Sequence, residues 1–235
     1  MIKKGELYFN GRTSLDLNLK MLSYPSIPQS NEEYEKVDVE GRNGSLYINK
    51  GTYPDKEIPF EFDIRSSDNI DVDLDKILDW LTNITDNRLI FGRKDRCYRV
   101  KKVDLGNFKQ KFTTYGNINI TFICEPFAED LESTIINIHN EDVIFYHGTV
   151  EGFPLIKVIG SGDIQVAINS EAIVIKDVNE YVEIDSELLQ VRNKDGTSKD
   201  MDTLGDFPTL KNGVNTIFYS GNVSKLEIEY KNKYL

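Results

Sequence analysis

Residues 89–128 constrain the fold of this chain more than any other stretch. Two runs in which apolar and polar residues alternate flank a polar turn, and alternation of period two gives a strand one buried and one solvated face. Ile90-Phe91 and Tyr98-Arg99-Val100 belong to the first of these patterns. Pro126 is expected to stop the second, because proline has no N–H to give to a ladder. A paired, half-buried hairpin of this kind needs further strands beside it, so the segment predicts a β domain that closes near Ala128.

The charge distribution puts a boundary at the same place. Residues 1–128 hold 19 Lys and Arg against 20 Asp and Glu, whereas residues 129–235 hold 9 against 19. The acidic excess thus lies almost entirely after Ala128, which argues for two domains, 1–128 and 129–235. It also argues against stable nucleic-acid binding by the second half, since phosphate contacts need Lys and Arg. A chain of 235 residues buries roughly 70–75% of its unfolded surface and needs no staple. Cys97 and Cys124 lie within apolar strand patterns and read as small buried hydrophobes rather than a disulfide. Met1-Ile2-Lys3-Lys4 runs into Gly and Glu, so no signal peptide is expected, and no apolar stretch is long enough to span a membrane.

Most of the chain reads as strand. Residues 2–10 open with a short run ended by the turn signal Asn10-Gly11, and Leu15, Leu17 and Leu19 alternate as a strand should. Residues 32–64 predict a long hairpin with Val37 and Val39 before the turn Gly41-Arg42-Asn43-Gly44 and Leu46-Tyr47-Ile48 after it. A second turn at Gly51-Thr52-Tyr53-Pro54-Asp55 leads into Ile58, Phe60, Phe62 and Ile64 on one face. The acidic first arm (Glu32, Glu33, Glu35, Asp38, Glu40) reads either as a solvated hairpin or as an arm that pairs with a neighbouring subunit. One helix, over about 70–84, follows from the period of Ile70, Leu74, Ile77, Leu78, Leu81 and Ile84. Asp71 and Asp73 suit its N-terminal dipole, and Trp80 at the edge of the stripe reads as core or a domain contact. The second half shows short strands at 154–159, 164–168, 172–175, 181–184, 188–192, 215–219 and 223–230, with Asn169-Ser170 as a tight hairpin turn. That pattern predicts a β-sandwich of jelly-roll kind.

No catalytic, metal or cofactor site emerges. His139 and His147 have no partners at zinc-ligand spacing, and there is neither a P-loop nor a G-x-S-x-G. The segment 193–202 fits a calcium loop poorly: Val191 falls on the first ligand position, so it reads as a turn. The one basic cluster is Arg88, Arg93, Lys94, Arg96, Arg99, Lys101 and Lys102, with Asp95 as its only acid. It is expected to meet an acidic neighbour, with Arg93, Arg96, Arg99 and the turn Gly41, Arg42, Asn43, Gly44 as candidate subunit-interface residues. Pro126 and Phe127 are the candidate domain-junction residues.

Several patches, in order, resemble the distal tail proteins of long-tailed bacteriophages. These are Gly41-Arg42-Asn43-Gly44-Ser45-Leu46, Gly51-Thr52-Tyr53-Pro54-Asp55-Lys56-Glu57-Ile58 with Phe60-Glu61-Phe62, Trp80-Leu81, Leu89-Ile90-Phe91, Tyr98, and Leu105-Gly106-Asn107-Phe108. The block Cys124-Glu125-Pro126-Phe127-Ala128 resembles the end of that family's first domain. Pro154-Leu155-Ile156-Lys157-Val158-Ile159-Gly160, Gly205-Asp206-Phe207-Pro208 and Gly213-Val214-Asn215 resemble the entry and close of its second. The resemblance implies a mainly β protein with one helix in a ring-forming first domain and a galectin-like or carbohydrate-module-like β-sandwich as the second. It implies a structural virion protein, not an enzyme: a homohexameric ring at the tail tip, assembled in the host cytoplasm, with a channel for DNA. The expected partners are the tail tube protein, the tail-associated tip or hub protein, and the tape-measure and receptor-binding proteins. A carbohydrate-binding module is the alternative, with Phe145, Tyr146, Tyr181, Phe218 and Tyr219 as available aromatics, most of them read as core.

Overall fold

The computed structural model describes residues 5–67, 69–139 and 141–235, so residues 2–4 of the expected opening run lie outside the described residues. The chain divides into two compact units, Met1–Ala128 with Leu235, and Glu129–Tyr234. Both are built from antiparallel strands, and the fold is mainly β.

The first unit contains β1 (Leu7–Phe9), β2 (Arg12–Thr13), β3 (Leu19–Met21), β4 (Tyr34–Val37), β5 (Leu46–Asn49) and β6 (Lys56–Arg65). Then come α1 (Ile70–Thr82), β7 (Arg88–Phe91), β8 (Arg96–Phe112) and β9 (Tyr115–Asp130). The main sheet has the order β2-β1-β7-β8-β9-β6-β3. Strand β6 pairs with β9 from Lys56↔Cys124 to Arg65↔Tyr115. Ile58, Phe60, Phe62 and Ile64 all point inward, as their spacing predicts, against Ile118, Ile120 and Phe122. The rings meet edge to face: Phe60 lies 5.0 Å from Phe91 and 5.6 Å from Phe122, and Phe9 lies 5.0 Å from Phe122. Edge-to-face pairs add about 0.5–1.5 kcal/mol each to the area they bury.

Helix α1 lays Ile70, Ile77, Trp80 and Leu81 on this core. Asn69 caps it, its side chain accepting from the Asp71 N–H at 2.9 Å, and Asp71 and Asp73 occupy the first turn. Its far end is held by Asn10, which sits at φ +44° in the turn beyond β1. The Asn10 amide donates to the carbonyls of Trp80 and Asn83, both at 2.8 Å. Its oxygen accepts from the N–H groups of Thr85 (2.8 Å) and Asp86 (3.2 Å). One side chain therefore satisfies the helix end and starts the approach to β7. Asn10→Ala removes all of these bonds and is expected to cost about 2–3 kcal/mol, read as a lower urea midpoint with an unchanged slope.

Three local expectations are corrected. Leu15 and Leu17 do not begin a strand: Ser14–Leu17 is a 3₁₀ turn closed by Asn18 at φ +57°, and only Leu19 enters β3. The reciprocal bonds between Thr13 and Asp16 are a local capping signal that outweighs alternation. Residues 32–64 do not form one hairpin. Strands β4 and β5 pair only with each other, and β6 leaves them to enter the main sheet. Pro126 does not stop β9, which runs on to Asp130. Pairing with β6 ends at Cys124, so the position of Pro126 needs no N–H on that side, and its carbonyl accepts from the Ser30 hydroxyl at 2.7 Å.

The second unit holds β10 (Thr134–Ile138), β11 (Glu141–Tyr146), β12 (Leu155–Ile168), β13 (Glu171–Asp185), β14 (Gln190–Asn193), β15 (Thr203–Gly205), β16 (Gly213–Tyr230) and β17 (Lys233–Tyr234). Its sheet order is β10-β16-β12-β13-β14, with β11 on β16 and β15 on β13. The expected short strands merge: 154–159 with 164–168 into β12, 172–175 with 181–184 into β13, and 215–219 with 223–230 into β16. Leu188 and Leu189 stay outside β14, exposed in a turn with Leu189 at φ +53°. The long strands carry register shifts around residues 159–165. There the buried set changes parity, from Ile173 and Ile175 to Val178, Val182 and Ile184 on β13, and from Ile217 to Leu226 and Ile228 on β16. A bulge restores the inward face after such a slip and bends the strand, so both halves feed one continuous core. Gly221, at φ +103°, lies so close to β12 that a Cβ there would sit 2.4 Å from the Asp163 carbonyl oxygen. The Asn169-Ser170 turn joins β12 and β13 as expected, with Asn169 at φ +54°.

Candidate functional site

The β4–β5 arm is largely exposed. Cross-strand partners share a face, which places Tyr34, Lys36, Tyr47 and Asn49 on one side and Glu35, Val37, Leu46 and Ile48 on the other. Both faces are open to solvent: Tyr34 is 53% exposed, Tyr47 66% and Ile48 52%. An isolated two-stranded ribbon with both faces wet is marginal in water, so this arm needs another surface to rest on. Its base is ordered by Glu32, whose carboxylate accepts from Tyr34 (3.1 Å), Tyr53 (3.3 Å) and Asn49. At its tip Gly41 (φ +79°) and Gly44 (φ +82°) take a conformation that side chains disfavour, flanking the exposed Arg42 and Asn43.

The basic cluster is placed together on β7, β8 and the turn between them, but it is far less basic than its composition. Arg88 donates two bonds to Asp86 (2.9 and 2.8 Å), and Arg93 pairs with Asp95 (2.5 Å). Arg96 reaches Asp95 at 3.9 Å, Lys101 reaches Asp55 at 2.7 Å, and Lys102 reaches Asp104 at 2.6 Å. Hydrogen bonds from Arg88 hold the Asp86 carboxyl below the usual carboxylate range, and those from Arg93 do the same for Asp95. Asp86, Asp55 and Asp104 come from outside the basic run or at its edge, so counting residues within the run missed them. The cluster does not form a bare cationic patch. Arg99 lies half-buried opposite Arg88 in the β7–β8 register.

Of the two candidate junction residues, Phe127 packs edge-on against Tyr53 at 5.0 Å within the first unit, and Pro126 takes the Ser30 bond already described. Beside them Lys56 is 5% exposed, its ammonium 5.5 Å above the Tyr98 ring. No carboxylate lies within ion-pair reach of it among the described residues. Burial lowers its pKa below the ordinary 10.5 and pushes the facing Cys124 thiol up to about 12. The unfolded chain therefore holds this lysine's proton more tightly, and native stability rises as pH climbs through the lowered value toward 10.5. Lys56→Met is expected to stabilise the protein by about 1 kcal/mol at neutral pH, with the gain shrinking in alkaline buffer. Thermal melts at the two pH values measure it. Cys97 and Cys124 are both buried and form no disulfide.

In the second unit the outward side of β11 and β16 is apolar. Phe145 pairs across strands with Val214, and Phe218 lies beside Ala167 of β12; Phe145, Val214 and Phe218 are 54%, 65% and 42% exposed. The reading of most aromatics as core holds for Tyr146, which is wholly buried, and for Tyr219, packed at the core's edge; Phe145 and Phe218 face outward instead. Tyr181 is half-buried on β13. The segment 193–202 is an ordered turn in which Asp195 accepts from Thr197 and Asp200 from the Val191 N–H. Among the described residues no group of three or more His, Cys, Asp or Glu is arranged to hold a metal.

Residues 13–124 match the family model of the phage tail protein RIFT-related domain. Among solved structures, the crystal structure of the SPP1 Dit protein is similar over the whole chain. It is described as a paradigm of the hub adsorption apparatus in phages that infect Gram-positive bacteria. The TM-score is 0.72 at 12% identity, covering 98% of this chain and 99% of that one. No curated protein matches the chain. At this identity the structural likeness is one of fold, and it extends through both units.

Proposed function

We propose that this chain, whose first unit carries the match to the phage tail RIFT-related domain, is a siphophage distal tail protein: a structural hub of the tail tip rather than an enzyme. The observation that carries the reading is the whole-chain fold likeness to a tail-hub protein combined with an independent sequence match confined to residues 13–124. In this reading residues 1–128 close into a homohexameric ring around a channel that passes DNA. The ring joins the tail tube protein to the tip or hub protein, within reach of tape-measure and receptor-binding proteins. Residues 129–235 form a galectin-like domain, with Pro126 and Phe127 at the junction. Assembly in the host cytoplasm delivers the protein to the virion tail tip.

The physics of the arm supports a ring. A heterologous contact that closes by rotation buries the same two surfaces on every copy. The β4–β5 arm, wet on both faces, is one such surface, and the β7–β8 hairpin bearing Arg93, Arg96 and Arg99 is the other. Because the local aspartates already answer most of these cations, the contact rests on apolar burial by Tyr47 and Ile48 more than on charge. The test is Ile48→Asp in the arm. Its side chain is half exposed in the single chain, so the melting temperature of the unassembled protein should hold while assembly weakens by at least about tenfold. Assembly unchanged by this substitution would remove the arm from the interface.

A further inference from the structure

An asparagine followed by glycine modifies itself when its side chain is loose, because a glycine nitrogen has no side chain of its own to screen it. That backbone nitrogen attacks the asparagine amide carbon. Its proton and the side-chain NH2 leave together as ammonia, and a five-membered imide forms. Water then opens the ring. Attack at the side-chain carbonyl gives aspartate, and attack at the main-chain carbonyl gives isoaspartate, whose main chain runs through the former side chain. Nothing is oxidised or reduced, and water is the only reagent. The chain holds three such pairs, Asn10-Gly11, Asn43-Gly44 and Asn212-Gly213. We infer that the fold protects the first and the third, and that Asn43, at the tip of the β4–β5 arm, is the modification site among them.

The glycine conformation does not separate the three, since Gly11, Gly44 and Gly213 sit at φ +76°, +82° and +94°. What separates them is the freedom of the amide, which must swing until its carbon lies over the next nitrogen. The Asn10 amide is held on both sides, donating to Trp80 and Asn83 and accepting from Thr85 and Asp86, and attack would break all of these bonds. The Asn212 amide donates to the Gly148 carbonyl at 2.7 Å, and Gly213 lies opposite Tyr146 in the β11–β16 ladder. Asn43 has no such restraint. Among the described residues neither its side chain nor the Gly44 N–H makes a hydrogen bond, and both residues are exposed. A Cβ placed on Gly44 would meet nothing within 4 Å. The β4–β5 ladder ends at Val37↔Leu46, so the tip can rearrange without breaking a cross-strand pair. Each conversion sets a new carboxylate beside Arg42, on an arm that already carries Asp38 and Glu40. Isoaspartate also lengthens the turn by one backbone carbon.

The inference concerns the single chain and does not need the ring, so either can fail without the other. The purified whole chain is held in mildly alkaline buffer, which helps to deprotonate the attacking nitrogen, and is sampled by peptide mass spectrometry. Conversion adds about 1 Da, and electron-transfer fragmentation separates isoaspartate from aspartate. The Asn43 peptide is expected to convert at least about tenfold faster than the peptides of Asn10 and Asn212. In the guanidinium-unfolded chain the three rates should converge to within about threefold, since the restraint on the other two is the fold. Asn43→Gln, whose imide would need a six-membered ring, should abolish the reaction at this position. Ile48→Asp, which keeps the arm unassembled in the proposed reading, is run alongside. Fast conversion at Asn43 in that variant supports the inference even where the parent chain is slow, because assembly then shields the tip. The inference is overturned if Asn43 stays intact in both native chains while it converts in the unfolded one. It is equally overturned if Asn10 or Asn212 converts as fast as Asn43 in the native chain.

Discussion

Trp80→Ala is expected to destabilise the first unit by about 3–5 kcal/mol, the range for truncating a buried aromatic in a core that relaxes only in part. Trp80 is 4% exposed, stands edge-on to Phe9 at 5.6 Å, and donates its indole N–H to the Phe9 carbonyl at 2.7 Å. Truncation opens a cavity and also removes the indole's hydrogen bond to that carbonyl. Trp80→Phe keeps most of the volume and loses only the bond, so it should fall between. The urea midpoint is the readout, and a loss under about 1 kcal/mol for Trp80→Ala would mean that the helix is not seated as described. The helix stripe then serves packing, and nothing about Trp80 requires a ligand.

Tyr146→Ala should unfold the second unit with a similar loss, about 3–5 kcal/mol. Tyr146 is wholly buried, tilted against Tyr230 at 5.9 Å, with its hydroxyl accepting from the Lys233 N–H at 3.0 Å. Gly148 and Gly152 wrap it so closely that a Cβ on either would sit 2.3 and 2.7 Å from the ring. Tyr146→Phe keeps the packing, and the lost acceptor should cost about 1 kcal/mol. Burial pushes the Tyr146 hydroxyl up to about 12, so the native state holds its proton longer than the unfolded chain does. Its contribution is complete below the ordinary value of 10.0 and is lost as pH rises through the raised one. The alkaline loss of stability should therefore be smaller in Tyr146→Phe than in the parent chain.

Much of this was legible where one physical signal acted alone. The period of Ile58, Phe60, Phe62 and Ile64 gave the inward face of β6, and the stripe from Ile70 to Leu81 gave α1. Alternation misled at Leu15 and Leu17, where the Thr13 and Asp16 side chains close a 3₁₀ turn that periodicity does not register. The long strands of the second unit read as short ones because a bulge interrupts alternation just as a loop does. Nor could the basic run show its own neutralisation, since Asp55 reaches Lys101 only through the fold.

In the proposed reading this chain closes into a ring. Light scattering of the purified protein, followed by negative-stain imaging of the same peak, tests it most directly. A species about six times the 27.0 kDa chain is expected, seen end-on as a ring with a central opening. A particle that stays at 27.0 kDa at every concentration, and also when the tail tube protein is added, would contradict it.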